Sequence, residues 1–72
     1  MTKYEAEREF YFYKKGTSGS FSTGLFDLIG RADTGNRYLL SVGFPGEVAV
    51  WERWLSSEDE QEFLNSLLEG SN

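Results

Sequence analysis

Any chemistry performed by this chain of 72 residues would depend on carboxylates, amines and hydroxyl groups, because the sequence contains no histidine and no cysteine. Those two residue types supply most general bases, many activated nucleophiles and the usual ligands of zinc. Acid pairs at helical spacing do occur, such as Glu58 and Glu62, but they lie in the first turn of a predicted helix, where they stabilise the helix dipole. We therefore predict a protein that is not an enzyme, with no catalytic residue, no metal site and no cofactor.

Cations near a glycine-rich segment could instead bind phosphate. Residues 16–20 read Gly-Thr-Ser-Gly-Ser and lead into a predicted helix start, where free backbone N–H groups can hold an anion. No Walker lysine follows the glycines, and their spacing does not fit a dinucleotide fingerprint. A flexible linker is the favoured interpretation. The alternative is a phosphate site whose candidate contacts are Lys14, Lys15, Ser20, Arg31 and Arg37.

Aromatic residues are the most unusual part of the composition, at 17% of the chain. So short a chain cannot bury twelve large rings in its own interior. Either the rings replace Leu and Ile in the core with a few left half-exposed, or some of them form an interface or stack on a nucleotide base. Tryptophan and tyrosine are frequent interface anchors. The candidate binding rings are Tyr11, Tyr13, Trp51 and Trp54.

The charge is acidic overall, at −5, and most of the acids lie in the C-terminal third. This argues against a protein that binds the nucleic-acid backbone, which needs a basic face. No segment is long and apolar enough to span a membrane or to form a signal sequence, so we expect a cytoplasmic protein. A solvated helix start explains the densest acids, although they could also form an acidic surface for a basic partner. These four acids are Glu58, Asp59, Glu60 and Glu62.

The elements that would position these side chains are predicted to be helices. Thr2 and Glu5 have the spacing of a capping box, which predicts a helix from Lys3 to Lys15 that ends at Gly16. The four adjacent rings at 10–13 prefer a strand by intrinsic propensity, but the caps favour the helix.

Two further helices follow from apolar residues at intervals of three and four. One is predicted from Phe21 to Ala32, and its two internal glycines suggest that another backbone comes close. The other follows a second capping box at Ser57–Glu60 and continues to Gly70.

Residues 37–54 allow two interpretations. By propensity they resemble a β-hairpin across the Pro45-Gly46 turn. By capping they are two short helices, with Asp33 or Thr34 capping the first and Pro45 in the first turn of the second. The sequence thus predicts a single small domain over residues 1–72, an all-α bundle of four or five short helices, with an α+β fold containing a 37–54 hairpin as the alternative.

A resemblance favours the helical alternative. The segment from Gly19 to Trp54 resembles a group of small phage and prophage proteins whose pattern is G-x-F-x-x-x-L-F-x-x-I-x-x-A-D-x-x-N followed by G-F-P-x-E-V. It departs from that pattern at Gly46, where an acidic residue is commoner. The residues that carry the resemblance are Gly19, Ser20, Phe21, Leu25, Phe26, Asp27, Leu28, Ile29, Ala32, Asp33, Asn36, Leu40, Gly43, Phe44, Pro45, Glu47, Val48 and Trp54.

The resemblance implies a helical fold and names no catalytic residue. Phage genomes carry many short reading frames that inhibit host factors, including defence systems, so the function expected by analogy is a non-enzymatic accessory protein that binds and inhibits a host macromolecule. One alternative is a homo-oligomeric sponge that sequesters a nucleotide or cyclic-nucleotide defence signal. Another is a small virion structural or assembly protein. Because a chain this short has little core, we also expect it to form a homo-oligomer.

Overall fold

The computed structural model describes the backbone of residues 2–70 and the side chains of residues 2–68. Over this part of the chain every regular element is an α-helix, which confirms the all-α prediction; the alternative hairpin at residues 37–54 is wrong. None of these helices combines the length and the apolar character that crossing a membrane requires. The five helices are α1 (Lys3–Lys15), α2 (Ser20–Arg31), α3 (Thr34–Gly43), α4 (Pro45–Leu55) and α5 (Glu60–Gly70).

Helix α1 begins and ends where the caps predict. The Thr2 hydroxyl accepts a hydrogen bond from the Glu5 N–H at 3.2 Å, and the Glu5 carboxylate accepts one from the Thr2 N–H at 3.3 Å. Hydrogen bonding of the Glu5 carboxylate to the side chain and the backbone of Thr2 holds the pKa of Glu5 below its usual value. Gly16 ends the helix with a φ of 78°, a left-handed conformation that a residue with a side chain rarely adopts.

The start of α5 differs from the prediction. The helix begins at Glu60, and Asp59 caps it by accepting a hydrogen bond from the Glu62 N–H at 3.1 Å. Ser57 does not begin a capping box, because its hydroxyl donates to the Trp54 carbonyl at 2.6 Å, at the end of α4. Helix α2 also differs from the prediction, because it begins at Ser20, one residue earlier than predicted.

Helix α1 lies at the centre of the packing. It packs against α2, α4 and α5, and α4 also packs against α2 and α3. Phe10 is fully buried in the core, where its ring meets Phe26 edge-on at 5.2 Å between centroids and Trp51 edge-on at 5.9 Å. Edge-to-face contacts of this kind stabilise beyond simple area burial, so α1 stays helical despite its strand-preferring run of rings. The buried cluster consists of Phe10, Leu25, Phe26, Ile29, Val48, Val50, Trp51, Leu64 and Leu67.

Two glycines mark close approaches between helices. A Cβ at Gly30 would lie 2.8 Å from Cζ2 of Trp51, so α2 packs directly on the indole. A Cβ at Gly46 would lie 3.1 Å from Cβ of Ala6, where the start of α4 meets α1. The close neighbour of Gly30 is therefore a ring and not a second backbone, which corrects the expectation for that glycine. A Cβ at Gly24 meets no atom within 4 Å.

Candidate binding surface

The four rings predicted to bind a partner lie in or against the core. Trp51 is buried, with 9% of its surface exposed, so the expectation of an exposed ring at this position is wrong. Tyr11, Tyr13 and Trp54 are half-buried and pack on the core cluster. The two indoles contact each other, with ring centroids 5.1 Å apart. The rings at 11, 13, 51 and 54 thus contribute to packing, which is the first of the two interpretations of the aromatic excess.

Tyr13 and Trp54 also fix neighbouring helices to one another. The Tyr13 hydroxyl donates to the carboxylate of Asp27 at 2.6 Å and joins α1 to α2. Burial of the phenol, together with this hydrogen bond, raises the pKa of Tyr13 to about 12. The Lys14 ammonium lies 4.0 Å from the ring centroid of Trp54 and 3.3 Å from the Glu60 carboxylate, so one lysine connects α1, α4 and α5.

The residues predicted to contact phosphate are spread over the surface. Lys14 is paired with Glu60, and Lys15 lies 5.5 Å from the centre of the Tyr11 ring. Ser20 and Arg31 are at opposite ends of α2.

Arg31 and Arg37 line two different depressions. Arg37 donates to the Ala32 carbonyl at 3.3 Å, while its Nε is buried and has no hydrogen-bond partner. The fold therefore does not gather these cations into one anion site.

The acidic residues surround the start of α5. Asp59 caps this helix and Glu60 pairs with Lys14, so two of the four acids have structural partners. Glu58 and Glu62 are exposed and, with Asp59, line a shallow depression beside Phe63. Among the residues whose side chains are described, no three His, Cys, Asp or Glu side chains form a group that could hold a metal ion.

Five of the nine large apolar side chains that are exposed among the described residues lie elsewhere, on α2 and α3. We call their surface the α2–α3 face. Its members are all apolar or aromatic, and between 45% and 73% of the surface of each is exposed. They are Phe21, Leu28, Tyr38, Leu39 and Val42.

A groove runs between α2 and α3 beside this face. It is formed by two adjoining depressions of about 400 Å³ and about 380 Å³ that share Leu28 and Leu40. At one end the Phe21 ring packs on Phe44, with centroids 6.1 Å apart; Arg31 lies at the other end. The lining of this α2–α3 groove consists of Ser20, Phe21, Gly24, Leu25, Leu28, Arg31, Ala32, Asn36, Leu39, Leu40 and Phe44.

The groove exists because α3 is covered on one side only. Its packing is on α4, and none of its residues is buried. Leu40 is half-buried against the core, whereas Tyr38, Leu39 and Val42 point away from it. The sequence carried a signal for this surface. Four apolar residues within positions 38–42 cover a wider arc of a helix than one neighbouring helix can bury.

The area of the face is sufficient for a protein interface. Taking about 150 Å² for each large apolar residue, the five exposed fractions amount to roughly 500 Å². The largest apolar patch on a typical monomer is about 300–600 Å², and one side of a standard interface buries about 800 Å². The face would therefore form the apolar centre of an interface whose rim is polar.

Comparison with known proteins assigns no family. No protein-family model matches the chain, and no curated protein or solved structure matches it at a significant level. The resemblance to small phage and prophage proteins remains a prediction from the sequence.

Proposed function

We propose that this chain is a non-enzymatic accessory protein that binds a host macromolecule through the α2–α3 face and inhibits it by covering a functional surface. The observation that carries the proposal is the exposure of Phe21, Leu28, Tyr38, Leu39 and Val42 on two neighbouring helices of so small a protein, with Phe21, Leu28 and Leu39 lining one groove. Burying such residues against a partner is favourable by about 25 cal/mol per Å² of apolar surface. The other exposed large apolar side chains of the described residues are divided among α1, α4 and α5; they are Tyr4, Phe12, Leu55 and Leu68.

The proposed phage context rests on the sequence resemblance alone, and part of that resemblance falls on the proposed binding surface. The residues that carry it include Phe21, Leu28 and Phe44, which line the α2–α3 groove. The acidic start of α5 is a second feature of the proposed function, since a negative field influences partner choice and the rate of encounter.

A nucleotide sponge receives less support from the geometry, because its candidate cations are dispersed and Lys14 already has a carboxylate partner. A role in the virion is distinguished by finding the protein in purified particles.

Site-specific crosslinking tests the proposal. A photoreactive amino acid is placed at Leu39, in the α2–α3 face, and as a matched control at Gln61, an exposed position on α5. In a bacterial lysate we expect a specific crosslinked protein from position 39 and not from 61. The identified protein is then purified and mixed with the chain, and its complex should be lost with Leu28→Glu and kept with Gln61→Glu. Equal crosslinking from both positions, or a complex that tolerates Leu28→Glu, would refute the proposal.

A further inference from the structure

The packing of the described residues does not require a glycine at position 24. Gly24 lies in the middle of α2, where glycine lowers helix stability relative to alanine. Its backbone is helical, and a Cβ at this position would meet no atom within 4 Å. Gly30 on the same helix differs, because a Cβ there would collide with Trp51. Packing therefore explains why residue 30 is a glycine but does not explain why residue 24 is one.

The position of Gly24 supplies a reason. It lines the α2–α3 groove, three residues after Phe21 and four before Leu28, and therefore lies between them on the same face of the helix. The missing side chain leaves a gap in the wall between two exposed apolar side chains. Such gaps allow a helix to approach closely and to insert a bulky side chain.

The charge of the groove lining indicates the charge of its occupant. Among the described residues, Arg31 is the only charged residue that lines the groove. Its guanidinium makes no ion pair or hydrogen bond with another described residue. An occupant with a carboxylate at that end would pair with it. A second copy of this chain presenting the same groove would bring two Arg31 side chains together, and no carboxylate lines the groove to pair with them, so charge disfavours self-association here.

We propose that the α2–α3 groove binds an amphipathic helix of a partner protein, with a bulky apolar side chain over Gly24 and a carboxylate beside Arg31. The inference rests on the proposed function and names the kind of partner surface involved. The wall formed by α2 is 12 residues long, or about 18 Å, which corresponds to about three turns of the bound helix. Its anchors would follow the i, i+4, i+7 spacing of helix-in-groove recognition.

The test uses a small set of fluorescent helical peptides as probes. Each has leucine and phenylalanine on one face and a glutamate at one end, and a matched set carries lysine in place of the glutamate. Binding to the full chain is measured by fluorescence anisotropy.

We expect the wild-type chain to prefer the glutamate peptides, and Gly24→Leu to weaken their binding about tenfold or more by filling the gap. Gln61→Leu adds the same side chain to α5 and should leave affinity unchanged. Since leucine is a good helix former and its Cβ would meet no atom within 4 Å at position 24, the melting temperature of Gly24→Leu should equal or exceed that of wild type.

Arg31→Glu should likewise weaken binding of the glutamate peptides about tenfold and should reverse the preference toward the lysine peptides. Arg8→Glu, on the exposed surface of α1, makes the same charge change outside the groove and is the control.

Three outcomes overturn the inference. One is that no peptide binds, and another is that Gly24→Leu binds as tightly as wild type. The third is a wild-type dimer in sedimentation that Gly24→Leu dissociates, because the occupant is then a second copy. In the first two cases a specific crosslink from Leu39 would still support the proposed function, so the two proposals can fail separately.

Discussion

Replacing each of the two helical glycines of α2 by alanine should change stability in opposite directions. At Gly24 a methyl group meets nothing within 4 Å, so only the helix preference of alanine operates, and we expect a gain of about 0.5–1 kcal/mol. At Gly30 the same methyl group would lie 2.8 Å from Cζ2 and 2.9 Å from Cη2 of Trp51, closer than carbon atoms can approach.

The size of the Gly30 effect depends on whether Trp51 can move away. Its ring is enclosed by other rings, with centroid distances of 5.9 Å to Phe10, 6.2 Å to Tyr13 and 5.1 Å to Trp54. Overpacking such a site costs about 1–3 kcal/mol, and the helix preference of alanine returns at most about 1 kcal/mol. We therefore expect Gly30→Ala to be destabilised by up to about 2 kcal/mol.

Equilibrium unfolding in urea, followed by circular dichroism, measures both effects. In thermal unfolding of so small a domain, a change of about 1 kcal/mol in the free energy of unfolding shifts Tm by about 4–8 °C. The Tm values of the two variants should therefore lie on opposite sides of the wild-type value. In a Trp51→Phe background the clashing atoms are absent, and Gly30→Ala should lose its penalty. A Gly30→Ala variant at least as stable as wild type would refute the packing of α2 on this indole.

Three further substitutions test the cap of α5, the ion pair between Arg53 and Glu7, and the half-buried phenol of Tyr13. Asp59→Ala should lower the free energy of unfolding by about 1 kcal/mol through loss of the α5 cap, and the helical signal should fall with it; an equal loss of helical signal in Ser57→Ala would instead favour a capping box at that serine. Arg53→Met removes the guanidinium that bonds the carboxylate of Glu7, a buried residue, at 3.0 Å, and should cost about 1–3 kcal/mol in urea unfolding; restored stability in a double variant with Glu7→Gln would confirm that the unpaired charge is the cause. Because the pKa of Tyr13 is raised to about 12 from an unfolded value of about 10, its contribution to stability is complete below pH ~10 and is lost as the pH rises through ~12. Tyr13→Phe should remove the highest-pH step of the phenolate absorbance titration, and an unchanged titration would contradict the assignment.

The start or end of a helix could be predicted from the sequence where only one residue is suited to cap it. Thr2 begins α1 as the pattern indicates, and Gly16 ends it, whereas the sequence left Asp33 and Thr34 as alternative caps of α3, and the structure uses Asp33. At the start of α5 two motifs overlap, since both Ser57 and Asp59 can cap a following helix. The serine is used by the preceding carbonyl of Trp54, which depends on where α4 ends and is not visible in the local pattern.

The binding surface could not be located by residue type alone. Trp51 and Tyr13 belong to the types that dominate interfaces, but the same rings fill a small core efficiently, and here they do. Leu39 and Val42 are of residue types that usually lie in a core, yet both are exposed here on a helix that has no buried residue. A sequence shows which residues are apolar; how many neighbours cover them depends on the angles at which the helices pack.

The one-sided packing of α3 also has a consequence for its motion. With no buried residue, and with Phe44 alone between it and α4, α3 exposes little additional apolar surface when it opens. We expect its amide hydrogens to exchange faster than those of α1, whose opening would disrupt the core. The groove would then have one rigid wall, α2, and one compliant wall, α3. Rotation of α3 about Phe44 would change the width of the groove, so that bound helices of different diameter would fit the same site.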